Sequence, residues 1–177
     1  MTQLTFKKPS IADQASILSF RQAFNAKCPA MHGSNELNAF IDGGFVGWLN
    51  YINAPSGTNW FDYEKVADST YIALQDDAVV GIMHLRHHLN NILVQRGGHI
   101  GYSVHPDFQG QGIATKMLAF AIDVLRQLDV ADILVTCETG NIASKKVILK
   151  QGGVLENVLT IHTPNRTYDI ERYWIRP

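Results

Sequence analysis

The segment from Val104 to Thr115 constrains the fold more than any other, because it passes from an extended pattern to a helical one through two closely spaced glycines. Val104 ends an apolar run, Pro106 closes it, and a long helical pattern starts at Gly112. A helix that begins after such a loop leaves backbone N–H groups unpaired at the positive end of its dipole. The segment therefore predicts a strand, a loop and a helix with an anion-binding site at the helix start.

Two common phosphate-binding motifs do not match this loop. Gly112 is followed by Ile113, Ala114 and Thr115, which excludes the Gly-Lys-Ser/Thr ending of a Walker A loop. A dinucleotide-binding fingerprint fits poorly, because its third glycine is absent and a hairpin pattern precedes the loop. A glycine turn that only starts a helix, without a ligand, remains open at this point.

Composition predicts one soluble globular domain over residues 1–177, with a variable insert at about 28–69. The chain is 46% apolar with a formal charge of −1, so we expect no nucleic-acid partner and no membrane partner. Its apolar runs are far shorter than the ~20 residues of a membrane span. The first residues lack a secretory pattern, which favours a cytoplasmic protein. Cys28 and Cys137 fit no metal or disulfide motif and are expected to be reduced thiols.

Hydrophobic periodicity predicts a mixed α/β fold in which strands outnumber helices. Ser10 is the expected N-cap of the first helix, and residues 75–77 are the expected turn of a hairpin. The aromatic-rich stretch 28–69 is irregular apart from one short helix. The expected strands are 4–7, 70–74, 78–85, 99–104, 132–136, 154–161 and 167–175, and the expected helices are 10–27, 45–52, 112–128 and 142–151.

The loop sequence Gln109-Gly110-Gln111-Gly112-Ile113-Ala114 resembles, position by position, the Gln/Arg-x-x-Gly-x-Gly/Ala signature of the GCN5-related N-acetyltransferase (GNAT) superfamily. The strand before it and the order of elements from Leu4 to Ile175 are similar to that family as well. The resemblance implies a mostly antiparallel central sheet flanked by helices, with splayed central parallel strands. It also implies acetyl-CoA as co-substrate and an amine of a small molecule or peptide as acceptor.

The end of the chain resembles a bacterial subgroup of predicted acetyltransferases, which says little about the substrate. The oligomeric state stays open, with a homodimer among the options.

Three segments are implied by the resemblance to hold acetyl-CoA. The loop would bind the pyrophosphate through backbone amides, and Asn141 would bind the pantetheine arm. Asn141 also suits a helix N-cap, and the two roles are compatible. The full implied set is Tyr102, Ser103, Val104, Gln109, Gly110, Gln111, Gly112, Ile113, Ala114, Thr115, Asn141 and Ser144.

Catalysis by direct attack requires a base, because an ammonium group has no lone pair. His99 and Glu138 are the first candidates and His105 is a third, although a structural role is open for each. The resemblance places the usual proton-donating tyrosine at Ile148, so this chain departs from the family there.

Tyr102 and Tyr173 are the remaining phenols that the strands could bring near the cleft, and a core position is open for both. The resemblance also implies that a backbone N–H near Val104 stabilises the oxyanion.

Three functions remain open from the sequence. The first is an acetyl-CoA-dependent N-acetyltransferase, the second a non-catalytic acyl-CoA sensor, and the third a nucleotide-binding protein of another fold.

Three nearby histidines, His84, His87 and His88, lack a completing ligand set, so we expect a polar strand end and no metal.

Overall fold

The computed structural model describes residues 3–28, 30–40, 44–61 and 63–177. Seven strands and five α-helices occur in this part of the chain. The strands are β1 (Thr5–Lys7), β2 (Asp68–Gln75), β3 (Ala78–Arg86), β4 (Ile100–Val104), β5 (Ile133–Glu138), β6 (Val154–His162) and β7 (Thr167–Ile175). The helices are α1 (Gln14–Asn25), α2 (Gly44–Ile52), α3 (Asn91–Gln95), α4 (Ile113–Gln127) and α5 (Ile142–Lys150).

The strands form two antiparallel sheets. One has the order β1-β2-β3-β4 and the other the order β5-β7-β6. The expected hairpin between β2 and β3 is confirmed, with Asp76 and Asp77 both at positive φ, as a two-residue hairpin turn requires. The expected terminal strand pair is β6 and β7. The mixed α/β fold class is therefore confirmed.

Helix α4 joins the two sheets into one hydrophobic core. Its buried stripe includes Met117, Leu118 and Leu125, and it packs with residues of both sheets in a single cluster. The apolar spacing that predicted this helix is the spacing that a core-facing stripe requires. On the opposite face of the first sheet, α1 and α2 bury a second cluster around Phe20 and Trp48.

The two sheets meet at the starts of β4 and β5. The His99 N–H donates to the Leu134 carbonyl at 2.7 Å, and the Leu134 N–H donates to His99 Nδ1 at 2.9 Å. Gly98 lies in this joint at φ +60, and a Cβ on it would stand 2.5 Å from the Leu134 oxygen. Beyond the joint both strands run toward the same cleft and separate, which confirms the expected splayed central strands.

Three differences from the sequence-based expectation concern local structure. Helix α3 was not predicted, because five residues are too few to show a helical period; Asn90 caps it. His87 and His88 lie beyond the end of β3, so only His84 of the three nearby histidines belongs to the strand. The start of the insert helix is Gly44, and residues 41–43 lie outside the described part of the chain.

Several aromatic side chains of the insert contribute to the core, whereas Trp60 and Tyr63 are exposed. Trp48 and Tyr51 are fully buried, and the Trp48 indole donates to the Ser34 carbonyl at 2.9 Å. These contacts hold the insert against the first sheet. Among the described residues, no helix has the length and apolar character needed to cross a membrane.

Candidate active site

A cleft of about 1990 Å³ opens where β4 and β5 separate. It is bordered by both strands, by the starts of α4 and α5, and by residues 30–36 of the insert. Such a volume is larger than a typical small-molecule pocket and accommodates an extended ligand together with a second one.

The glycine loop forms one end of this cleft. Gly110 and Gly112 adopt φ of +77 and +78, and a Cβ added to either would meet no atom within 4 Å. Gly112 is the N-cap of α4 and offers no side-chain cap, so the first N–H groups of the helix stay unpaired. Gln109 ties the loop to its strand, since its amide donates to the Val104 carbonyl at 3.2 Å. The loop thus presents open backbone donors at a positive helix end.

The free edge of β4 points a row of backbone groups into the cleft. His105 N–H donates to the Val80 carbonyl on β3 at 2.8 Å, which sets the alternation of the ladder. By that alternation, the N–H groups of Tyr102 and Val104 point away from β3 and toward the gap. A ligand amide or a carbonyl oxygen in the gap can therefore bind to this edge.

The free edge of β5 faces the same gap from the other side. Thr139 N–H donates to the Asp169 carbonyl on β7 at 3.0 Å. The alternation of this ladder turns the N–H groups of Thr136 and Glu138 toward the cleft. Two strand edges therefore face each other without a strand between them.

Helix α5 brings Asn141 and Ser144 to the cleft. The Asn141 side-chain oxygen caps the helix by accepting from the Ser144 N–H at 3.0 Å, and the residue borders the cleft. The Ser144 hydroxyl lies 3.1 Å from the Tyr102 hydroxyl. Burial raises the pKa of Tyr102, so its phenol stays protonated and can donate a hydrogen bond.

His99 lies in the joint between the sheets and does not border the cleft. Its ring accepts from the Leu134 N–H, and burial lowers the pKa of His99 to about 4. The His99 ring is buried, hydrogen-bonded to the backbone and hard to protonate, so it stabilises the joint between the sheets. This geometry does not favour His99 as the base.

Glu138 and His105 have different surroundings. Glu138 borders the cleft, and its carboxylate accepts from the Arg166 guanidinium at 3.1 Å. His105 lies outside the cleft lining, between the rings of Phe20 and Phe108, and its Nδ1 accepts from a backbone N–H. Of the candidate bases, Glu138 is the one that the fold brings to the cleft.

Tyr173 is buried in the core behind the cleft. Its hydroxyl donates to Glu171, which also pairs with Lys145 at 3.0 Å. Ile148 is fully buried and packs against Gly153. The sequence left a core position open for Tyr173, and this geometry does not favour Tyr173 as a proton donor.

The model of the acetyltransferase (GNAT) family matches residues 19–152, which include the glycine loop and both splayed strands. This chain belongs to the GNAT acetyltransferase family. None of the curated proteins matches it.

Solved structures share the fold of this GNAT acetyltransferase at low identity. A chimera of spermidine N-acetyltransferase SpeG from Vibrio cholerae and hSSAT has 19% identity and a TM-score of 0.67, with 99% of this chain and 96% of that chain covered. Ribosomal-protein-alanine N-acetyltransferase from Brucella melitensis has 20% identity and a TM-score of 0.65, with 96% and 98% covered. YncA from Salmonella typhimurium, assigned as an acetyltransferase and solved with acetyl-CoA, has 16% identity and a TM-score of 0.60, with 98% and 93% covered. These similarities exclude the nucleotide-binding protein of another fold.

Sequence reasoning missed a polar cluster at the far end of the cleft. The Asp68 carboxylate contacts Lys65, lies 2.7 Å from His84 Nε2 and accepts from the Asn35 amide at 3.2 Å. Burial would raise the pKa of Asp68, but His84 and Lys65 hold it below its usual value. His84 was expected at a polar strand end and is buried instead, because the β2–β3 register brings it beside Asp68. The contact between His84 and Asp68 depends on the pairing register of β2 and β3, which no local sequence pattern indicates.

Arg86 is a second cleft residue that the sequence did not single out. It follows His84 on the same face of β3, and its Nη1 donates to the carbonyls of Gly97 and Gly98 at 3.3 and 3.1 Å. Burial lowers the pKa of Arg86, while Tyr63 and Asp68 act against that change. A cation is therefore held at the far end of the cleft.

Proposed function

We propose that this chain is an N-acetyltransferase that uses acetyl-CoA and transfers the acetyl group to an amine of a small molecule or peptide by direct attack. The observation that carries the proposal is the convergence of three donors on one cleft: the uncapped start of α4 and the free edges of β4 and β5.

The residues of the loop fit the diphosphate of acetyl-CoA. Unpaired N–H groups at the start of a long helix favour negative charge. The open space beside Gly110 and Gly112 lets a diphosphate approach the backbone closely. We assign the cofactor loop to Gln109, Gly110, Gln111, Gly112, Ile113, Ala114 and Thr115.

The strand edges fit the pantetheine arm, whose amides both donate and accept hydrogen bonds. In this proposal the arm lies between β4 and β5, with the Asn141 amide as a further donor. Ser103 also borders the cleft, and its hydroxyl donates to the His32 carbonyl at 2.8 Å, which links β4 to the insert. The Val104 N–H, which points into the gap, stabilises the oxyanion that forms on attack.

Proton transfer uses two groups at the cleft. The Glu138 carboxylate accepts the proton of the attacking amine, directly or through water. The new C–N bond forms as the C–S bond breaks, and the thiolate takes a proton from the Tyr102 hydroxyl or from water. Ser144, which lies beside that hydroxyl, orients it.

An experiment that separates catalysis from binding tests this proposal. Purified protein is titrated with acetyl-CoA by calorimetry, and thiol release is then followed with a panel of amino acids, polyamines and peptide N-termini. We expect saturable binding and amine-dependent thiol release above the hydrolysis rate. Saturable binding without turnover for any amine would leave a non-catalytic acyl-CoA sensor, and absence of binding would refute the assignment of the loop.

A further inference from the structure

The far end of the cleft holds a cation, Arg86, that forms no salt bridge with a carboxylate of the described residues. In the described residues the Arg86 guanidinium contacts only the carbonyls of Gly97 and Gly98, both through Nη1. Its Nε and Nη2 have no acceptor there, although the side chain borders the cleft. A partly buried guanidinium with free donors on one side is suited to bind a planar oxyanion with two hydrogen bonds.

A hydrogen-bond acceptor lies next to that cation. The ionised Asp68 engages His84 Nε2, which places the ring proton on Nε2 and leaves the Nδ1 lone pair free. No described residue donates to Nδ1. Burial, followed by the charge of Arg86, lowers the pKa of His84 to about 4, so the ring stays neutral at physiological pH.

The two side chains are arranged for one small ligand. His84 and Arg86 lie two positions apart on β3, so their side chains are neighbours on the same face of the strand, and both border the cleft. His84 is paired in register with Gly101 of β4, one residue before the free N–H of Tyr102. A group bound at His84 thus lies beside β4, along whose free edge we place the acyl-CoA arm.

Two other charged groups near this end are already engaged. Lys65 pairs with Asp68, and Glu36 accepts from the Tyr63 hydroxyl at 3.0 Å. Arg86 is therefore the cation with free donors for an anionic ligand among these groups.

From this geometry we propose that the acceptor carries a carboxylate beside its amine, as a free α-amino acid does: Arg86 binds the carboxylate, and His84 Nδ1 accepts a hydrogen bond from the amine. The inference deepens the proposed function and rests on it for turnover. A neutral imidazole that only accepts leaves the amine lone pair free for attack. One carbon separates the two groups of an α-amino acid, which suits adjacent subsites.

The test compares each L-amino acid with its amide, which has the same shape but lacks the negative charge. Acetylation of leucine, methionine, phenylalanine and glutamine is measured against the four corresponding amides and a short peptide. We expect kcat/KM to favour the acids by about 10- to 100-fold, the range of a charge-assisted hydrogen-bonded contact. Equal values, or a preference for amides, peptides or polyamines, would overturn the inference while leaving the proposed function intact.

Two variants test whether Arg86 causes the preference for acids over amides. In Arg86→Gln the ratio of kcat/KM for acids to kcat/KM for amides should fall toward one, while the affinity for acetyl-CoA is retained. The control is Arg96→Gln, at an exposed residue of the same cleft, and it should keep the wild-type ratio. If Arg86→Gln does not fold, the comparison of acids and amides on the wild-type protein still decides. An unchanged ratio in folded Arg86→Gln would refute the role of Arg86.

A binding readout separates the two proposals if no amine is turned over. The same L-amino acids and amides are titrated into the complex of the protein with CoA. Binding of acids but not amides, weakened in Arg86→Gln, would support the carboxylate subsite although acetyl transfer had failed. Absence of any such preference would refute the subsite as well.

Discussion

Replacement of Gly112 by valine should lower both the stability of the protein and its affinity for acetyl-CoA, and the two effects can be measured separately. Gly112 has φ +78, and a side chain there would extend into open space at the start of α4. A residue other than glycine in the left-handed region costs about 1–2 kcal/mol, and branching at Cβ adds to this. Gly57, at φ +89 and with the same open surroundings, is the matched control. Both variants should therefore lose a similar amount of unfolding free energy.

Only Gly112→Val should lose acetyl-CoA affinity, because its side chain occupies the space that the diphosphate needs. Loss of one or two charge-assisted hydrogen bonds of about 1.5–3 kcal/mol each raises Kd at least about tenfold. Urea unfolding measures the first effect and calorimetry the second. Acetyl-pantetheine, which lacks the diphosphate, should bind both variants as it binds the wild type. Wild-type affinity of Gly112→Val for acetyl-CoA would refute the loop assignment.

Three further outcomes are expected. The pKa of His99 is about 4 in the folded protein against 6.5 in the unfolded chain, so its contribution to stability is complete above pH 6.5 and is lost as pH falls toward 4. Urea unfolding should therefore show a loss of about 2 kcal/mol of unfolding free energy from His99 between pH 7.5 and 5. This part of the loss should be absent in His99→Gln but retained in the exposed control His88→Gln. Tyr102→Phe should lower kcat about tenfold or more with acetyl-CoA affinity unchanged, whereas Tyr173→Phe should affect stability alone; equal kcat in wild type and Tyr102→Phe would leave water as the proton donor. Glu138→Gln should lower kcat by about 100-fold in steady-state assays, and a wild-type rate would remove Glu138 as the base.

Local patterns predicted the parts of the fold whose cause is local. The glycines at 110 and 112, the stripe that includes Met117 and Leu118, and the turn at Asp76 and Asp77 each depend on residues close in sequence. Their positions in the structure agree with the pattern because backbone conformation and helical period are properties of short segments.

The far end of the cleft depends on contacts between distant residues. Asp68 and His84 meet across the β2–β3 ladder, and Asn35 joins them from the insert. A sequence shows which residues are polar but not which register brings them together. For the same reason the sequence placed Tyr102 and Tyr173 on strands without showing whether their side chains face the cleft or the core.

The joint at Gly98 lies outside the cleft lining, although the Gly98 carbonyl accepts a hydrogen bond from Arg86. Because a Cβ there would collide with the Leu134 carbonyl, any side chain acts as a wedge at the apex of the two sheets. A small displacement at an apex becomes a larger one along the diverging edges. Replacement of Gly98 by alanine should therefore change the distance between β4 and β5, and with it the width of the cleft.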